Sequence, residues 1–388
     1  MNAIYNALIG FTHDFLRRYP HDGMLQTPRP TVKKVLNVMS LDFTYKAAIR
    51  GYESVIIERQ WNGIDKFTMI LNSEVTNADL IGLDDVVWFD NEFHKAFIIE
   101  RIDESLQGNT VEYTITGIGL SGLLKDFITV PPDLAYDVKA GTSEEIVRQW
   151  VENNIARNVY PIILGTYNGF GSSTTDQTRY KNLFDEINRV LLPDDLGQNL
   201  EIDITNNQLV FNVMQGADRT VDAPDYAPRV IFGLKYGNMA AYKRVVDKTS
   251  EKNYAYVGGD GEEAARNITA VIGAGSRRKE IFVDARDTNL ESERIARGNQ
   301  ALSENIIIDG FEFEVMERQF KYENDYDLGD FVTVVLSISE YQNLQITSVI
   351  ETYEKNNITT EIKFGKTDKT LISVFASINK KVNLLETR

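Results

Sequence analysis

Three glycines, Gly117, Gly119 and Gly122, stand at G-x-G-x-x-G spacing in the stretch TITGIGLSGLL, directly after the strand-like run Val111–Thr116. In the right setting that spacing cradles the pyrophosphate of a dinucleotide, and the chemistry would be hydride transfer. The setting requires a helix after the glycines, then a parallel strand with an acidic residue about 20 positions on. Here LLKDFITV runs straight into Pro131 and Pro132, which end any helix before it can cross back over a sheet. The glycines therefore read as a tight strand-to-helix turn, with Leu120, Leu123 and Leu124 packed under a sheet. A second cluster, YAYVGGDGEEAARNI from Tyr254 to Ile268, lacks the G-K-[ST] of a P-loop and reads as a corner or hairpin loop between strands.

Carboxylate pairs are the other source of chemistry. Asp84-Asp85, Asp194-Asp195 and Asp325-x-Asp327-x-x-Asp330 are the clearest. A glycan hydrolase would need two carboxylates facing each other across a carbohydrate groove. The third set approximates a calcium loop, but Gly329 falls one place early and no glutamate closes it. It reads as a solvated turn entering a strand at Phe331. The chain has no cysteine, which excludes thiol nucleophiles, disulfides and zinc-thiolate sites. Its three histidines, His13, His21 and His94, are too scattered for H-E-x-x-H. No nucleophile–base arrangement emerges. No catalytic, cofactor-binding or metal-ligating residue is assigned, no cofactor is expected, and the chain reads as a non-enzyme.

The charge balance narrows the partners. Against 41 Lys and Arg stand 57 Asp and Glu, a net charge of −16 over 388 residues. Specific nucleic-acid binding needs clustered cations on phosphates, so it is not expected. A negative wall that lets nucleic acid slide past without sticking is compatible. The N-terminus MNAIYNALIGFTHDFLRRYP lacks the basic start and apolar run of a signal peptide, and no apolar segment is long enough to span a bilayer. Ile4, Leu8, Phe11 and Phe15 instead have the spacing of an amphipathic helix.

The elements that would position these residues divide into five stretches. Residues 1–35 are an N-terminal extension, expected to be helical. Residues 36–130 are mostly strand: Val111, Tyr113 and Ile115 alternate with Glu112, Thr114 and Thr116, a half-buried period of two. Residues 131–305 mix helix and strand. Thr142 and Glu145 form a capping-box spacing ahead of a helix to about Arg157, and a glycine- and threonine-rich loop runs from Gly165 to Thr178. Phe184–Leu191 is a second helix stopped by Pro193, and a hairpin turns at Asn206-Asn207. A third helix covers about Leu290–Leu302. Residues 306–366 return to strands. The tail, residues 367–388, carries Leu371, Phe375, Ile378, Val382 and Leu385 in heptad steps, an amphipathic helix or stalk.

A weak internal repeat links the two strand-rich stretches. LDDVV from Leu83 is similar to LGDFV from Leu328. Ile98, Ile102, Asn109 and Gly117 then correspond to Ile346, Ile350, Asn357 and Gly365 at one constant offset. The expected fold class is α+β, mainly β, with two related small β-barrel domains and an α+β insertion between them.

Several segments together resemble a known family. They are YESVIIERQWNGIDKFTMIL (Tyr52–Leu71), YTITGIGLSGLLKDF (Tyr113–Phe127) and SEEIVRQWVENNI (Ser143–Ile155). YVGGDGE (Tyr256–Glu262) followed by Arg266, ERIARGNQALSE (Glu293–Glu304) and YDLGDFVTV (Tyr326–Val334) complete the set. In order and spacing the chain resembles the siphophage tail hub proteins, called Gp37-like in some phages and forming the N-terminal hub of tail-associated lysins in others. These are similar to contractile-tail baseplate hub proteins. The resemblance covers roughly residues 36–366. The N-terminal extension departs from the family pattern, as does the lack of a long lysin or fibre domain after residue 388.

The resemblance implies a structural tail-tip or baseplate hub of a tailed bacteriophage, assembled in the host cytoplasm and carried at the distal tail tip of the virion. It implies a homotrimeric ring that closes the tail tube, adapts six-fold to three-fold symmetry and gates DNA exit. Implied partners are the distal tail protein ring, the tape measure protein and tip fibre or receptor-binding proteins, without stable membrane insertion. A carbohydrate- or receptor-binding tail-tip protein is the alternative, favoured if Tyr160, Tyr167 and Phe170 line one open groove; a glycan hydrolase is the other.

Overall fold

A computed structural model describes residues 34–364 apart from 134, 158–159, 225–227, 276, 304, 306, 316–318, 338–339 and 355–356. The expected N-terminal helix up to residue 33 and the heptad tail lie outside the described residues, as do His13 and His21.

The chain opens with seven strands: β1 (Leu36–Met39), β2 (Tyr45–Ile49), β3 (Ser54–Gln60), β4 (Lys66–Asn72), β5 (Val86–Phe89), β6 (Ala96–Gln107) and β7 (Thr110–Gly119). A 3₁₀ turn, Leu120–Asp126, leads to β8 (Asp137–Thr142), α1 (Ser143–Ile155), β9 (Ile162–Leu164), β10 (Ser173–Thr178), α2 (Leu183–Leu191), β11 (Leu196–Asp203) and β12 (Gln208–Gln215). Next come β13 (Ile231–Gly233), β14 (Met239–Asp247), β15 (Tyr254–Gly258), β16 (Ile268–Ile272), β17 (Glu280–Asp284) and α3 (Glu291–Ser303). Four strands end the described chain: β18 (Ile308–Val315), β19 (Phe331–Ser337), β20 (Glu340–Glu354) and β21 (Asn357–Phe364). The fold is mainly β with few helices.

Local sequence accounts for these elements. In β4, Phe67, Met69 and Leu71 point inward while the residues between them point out, the period of two of a strand with one dry face. β5 is buried throughout because it is covered on both sides. Val87 and Phe89 enter the core of β1–β7, whereas Val86 and Trp88 pack with the helices α1 and α2. The Thr142 hydroxyl accepts the Glu145 amide at 3.2 Å, the cap expected at the start of α1. Asn182 caps α2 in the same way, and the helix gives out at Leu192-Pro193. The hairpin at Asn206-Asn207 forms, with Asn207 at φ 53° and the Asp203 carboxylate accepting the Asn206 amide.

Thirteen strands join one sheet, with the path β14-β18-β21-β20-β3-β4-β7-β6-β5-β1-β2, while β19 pairs β20 and β13. The two expected barrels do not close by hydrogen bonding among the described residues. The physical reason is β3. Over Ser54–Gln60 it pairs antiparallel with Glu354–Ser348 of β20, so the edge that would seal the first set of strands joins the second set instead. Each set curls around its own core, one of Val55, Ile57, Phe67, Phe97 and neighbours, the other of Phe232, Val332, Val334, Ile362 and neighbours. The stretch Gly165–Thr178, expected as a loop, ends in a strand: β10 pairs β8 from Ser173↔Thr142 to Thr178↔Asp137. β10 is made almost wholly of polar residues, so it has no hydrophobic alternation to announce it.

The internal repeat has a structural counterpart. Val86 of β5 faces Ile98 of β6, and Phe331 of β19 faces Gln345 of β20. Ile99 exchanges backbone bonds with Asp84 and Asp85 at 2.9 and 2.8 Å; Ile346 exchanges them with Gly329 and Asp330 at 2.8 and 2.8 Å. A bulge follows Ile99 and another follows Ile346. From each bulge the hairpin runs in unbroken register to its turn, Arg101↔Thr116 to Gln107↔Thr110 and Ser348↔Lys363 to Glu354↔Asn357. The hairpins correspond at an offset of 247 (354 less 107, and 357 less 110), one residue from the offset read in the sequence. Ile99, not Ile98, is the counterpart of Ile346. The turns before them correspond at 245, as LDDVV and LGDFV do (330 less 85).

Candidate functional site

The opening glycine motif serves packing. A side chain at Gly117 would put its Cβ 2.2 Å from the Ile98 carbonyl oxygen, at Gly119 2.7 Å from Asp65, and at Gly122 2.4 Å from Ile118. The Gly119 amide, which would face a pyrophosphate in a dinucleotide site, donates instead to the Asp65 carbonyl at 2.8 Å. Leu120, Leu123 and Leu124 are buried, as expected of the turn.

The YVGGDGE loop is held by arginines. Arg266 donates to the Gly258 carbonyl at 2.9 Å and the Gly259 carbonyl at 3.2 Å and pairs with Asp284. A Cβ at Gly258 would meet that guanidinium at 2.7 Å, and one at Gly259 would meet Arg294 of α3 at 2.6 Å. The glycines make room for two cations that sew the loop to β17 and α3.

The three carboxylate sets make local bonds. Asp85 is buried, accepts the Gly82 amide at 2.7 Å and pairs with Lys46 at 2.7 Å. Asp330 does the same in the second copy, accepting the Asp327 amide at 2.9 Å and pairing with Arg219 at 2.5 Å. Asp194 accepts from Ser143 and Ser172; burial raises its pKa, but those hydrogen bonds outweigh it and hold the carboxyl below its ordinary value. Asp325 caps the Lys321 amide at 2.8 Å. No cluster able to hold a metal ion occurs among the described residues. Of the aromatic trio, Tyr160 and Phe170 pack against the core that holds α1 and α2, and Tyr167 is exposed.

The densest polar constellation is one that sequence spacing did not reveal. Lys95, fully buried, lies 2.6 Å from Glu351, 2.8 Å from Glu323 and 3.4 Å from Glu92, with its ammonium 5.0 Å from the Tyr322 ring centre. His94 reaches Glu323 at 2.8 Å, Lys34 pairs with Glu92, and the Tyr353 hydroxyl donates to Glu351 at 2.7 Å. Burial opposes the charge on Lys95, but the surrounding glutamates outweigh it and raise its pKa. Burial likewise opposes Glu323, yet the His94 hydrogen bond and Lys95 pull its carboxyl down to about 2. The cluster ties the β5–β6 connection to β20 and to the turn before β19. Beside it, Arg59 and Asp65 form a second buried pair at 3.2 Å.

Trp61 completes the seam. It follows β3, is 1% exposed, and its indole N–H donates to the Asp195 carbonyl at 3.0 Å. Gln345 donates to the same carbonyl at 3.0 Å and to the Gly329 carbonyl at 3.1 Å. The first strand set, the insertion and the second strand set thus meet at one indole. These features tie distant parts of the chain together, with the Lys95 ammonium enclosed by three glutamates.

Solved structures share this fold, tail proteins of prophages among them. The 43 kDa tail protein of prophage MuSo2 from Shewanella oneidensis has a TM-score of 0.54 at 11% identity, over 85% of this chain and 98% of that one. Prophage tail protein gp18 from Listeria monocytogenes gives 0.54 at 12%, over 90% and 99%. The tail protein from Neisseria meningitidis gives 0.53 at 14%, over 85% and 96%. No curated protein sequence matches the chain. The profile of the Siphovirus ReqiPepy6 Gp37-like protein family matches residues 35–366, and the chain belongs to that family. The family and the fold together support a structural phage tail protein, a component of the virion that works among other tail-assembly proteins.

Proposed function

We propose that the chain is the hub at the distal tip of the tail, a homotrimer that closes the tail tube and adapts six-fold to three-fold symmetry. The observation that carries this reading is the duplicated meander, β5–β6–β7 and β19–β20–β21, joined edge to edge through β3 and β20. Three copies of a chain with two equivalent strand units offer six similar surfaces to a six-fold ring. In this reading the units are the expected residues 36–130 and 306–366, and β13 and β14 pair with β19 and β18 of the second. Residues 131–305 otherwise form the insertion.

In this reading the ring above is the distal tail protein, the tape measure protein ends against the hub, and tip fibre or receptor-binding proteins attach below. The net charge of −16 suits a vestibule through which DNA passes without adhering, and the hub gates that passage. The role is mechanical and non-enzymatic. The test is native mass by light scattering, first of the chain alone and then with the distal tail protein. Three times 44.0 kDa is expected, at the latest on the partner ring. A chain that stays monomeric with the ring present overturns the reading.

A further inference from the structure

The lobe formed by β15, β16, β17 and α3 hangs on a narrow neck. β14 leads into it and β18 leads out, paired at Asp247↔Ile308. Away from the neck it faces the β8–β10 ribbon across a cleft of about 800 Å³. The Tyr136 hydroxyl donates to Asp287 across that cleft at 3.2 Å.

The ribbon's outward face lines the cleft, which also reaches Asp176, Thr178 and Arg189. Val138 pairs with Gln177 and Ala140 with Thr175, so these residues share that face, and Tyr136 and Arg179 lie just past its end. The inward face turns Asp176 to α2, where Arg189 holds it at 2.8 and 2.9 Å. On the opposite wall, Arg297 and Asp287 form a two-point pair at 2.6 and 2.6 Å. Those charges satisfy each other, Lys181 pairs with Glu186, and Glu293 adds a further carboxylate beside Arg297; of the lining cations, Arg179 alone has no ion-pair partner among the described residues. Its guanidinium is held over the rings of Tyr136 and Tyr180, 5.6 and 5.4 Å from their centres. A cation positioned by stacking and left unneutralised, on a chain of net charge −16, is preorganised for an anion.

We propose that this cleft binds an anionic saccharide or polyol chain. A carboxylate or phosphate of the ligand sits on Arg179, a ring or carbon backbone lies against Tyr136, and hydroxyls meet Gln177, Thr175 and Gln300. The volume falls in the roughly 300–1,000 Å³ range of small-ligand sites. Amides and hydroxyls on both walls suit a hydroxyl-rich ligand, and the small apolar residues between them, such as Val138 and Ala296, suit its carbon faces better than they would socket a bulky peptide side chain.

The test is calorimetric titration of the full chain with tri-galacturonate and with glycerol 1-phosphate, against maltotriose and tri-glutamate. One anionic hydroxylated probe should bind with a Kd of about a millimolar or tighter, and the probe that does so tells carboxylate from phosphate recognition. Arg179→Gln, on an exposed side chain, should weaken that binding about tenfold and leave the melting curve unchanged. The proposal is overturned if neither probe binds, if R179Q binds as well as the natural chain, or if maltotriose or tri-glutamate binds equally well. The readout is independent of oligomeric state, so it fails separately from the hub assignment.

Discussion

Gly329→Ala tests the seam at its tightest point. Gly329 has φ 91°, a conformation that costs an L-residue about 1–2 kcal/mol. A Cβ there would also lie 2.3 Å from Trp61 Cζ3, and the indole is already closely packed: it is 1% exposed, and Gly197 approaches it so nearly that a Cβ there would lie 2.7 Å from the ring. Forcing one methyl group into a packed core adds about 1–3 kcal/mol. The expected loss is therefore about 2–5 kcal/mol in all. Gly108, at the tip of the β6–β7 hairpin, is the control. Its φ is 65° and nothing lies within 4 Å of a built Cβ, so Gly108→Ala should show the backbone cost alone.

Urea unfolding followed by far-ultraviolet circular dichroism reads both variants, and it stays usable when Trp61 is changed. In a Trp61→Leu background the ring is absent, and Gly329→Ala should then cost no more than Gly108→Ala. A Gly329→Ala loss equal to that of Gly108→Ala in the natural background refutes the steric argument. So does a loss that Trp61→Leu leaves undiminished.

Three further outcomes follow, two from the charged cluster and one from an exposed pair. Lys95→Met leaves Glu92, Glu323 and Glu351 facing one another in a buried site and should cost about 3–5 kcal/mol, measured by the same unfolding assay. Lys66→Met breaks an exposed pair with Glu58 and should cost at most about 1 kcal/mol. Glu323 has a folded pKa of about 2 against an ordinary 4.5, so its stabilising contribution is complete above the ordinary value and is lost as pH falls towards the folded one. Stability followed from pH 5 downward should fall less steeply for Glu323→Gln than for the natural chain; an unchanged slope would show that the cluster does not act through this carboxylate.

Much of the fold was legible because its signals are local. The Thr142 cap, the stop at Pro193 and the Asn206-Asn207 turn each involve residues within a few positions, and each forms as expected. The packed turn at Gly117, Gly119 and Gly122 was legible for the same reason, since two prolines follow it. What the sequence left hidden depends on distant partners. Lys95 and Glu351 lie 256 positions apart, and Trp61 meets Asp195 across 134. The β8–β10 ribbon, whose outward face lines the cleft, has one strand too polar to show alternation. Barrel closure could not be judged from either strand set alone, because the edge of one pairs with the other.

The repeat shows why its register was one residue out. Apolar residues set the sequence alignment, but they are the part that drifts: Ile98 corresponds in pairing to Gln345. The features shared by both copies constrain the backbone. A residue at positive φ, Asp84 or Gly329, precedes a buried aspartate that caps its own turn, and a bulge follows at the same distance from the hairpin tip. The two positive-φ positions carry different residues, and the structure supplies the reason. Trp61 lies against Gly329, so only glycine fits there, whereas Asp84 tolerates a side chain, its positive φ being one that aspartate adopts more readily than most residues. Trp61 belongs to the first strand set, yet it packs into the core of the second. The copies are thus equivalent in their strands and unequal at their junction, which permits two like surfaces on one chain while fixing the order in which they are joined.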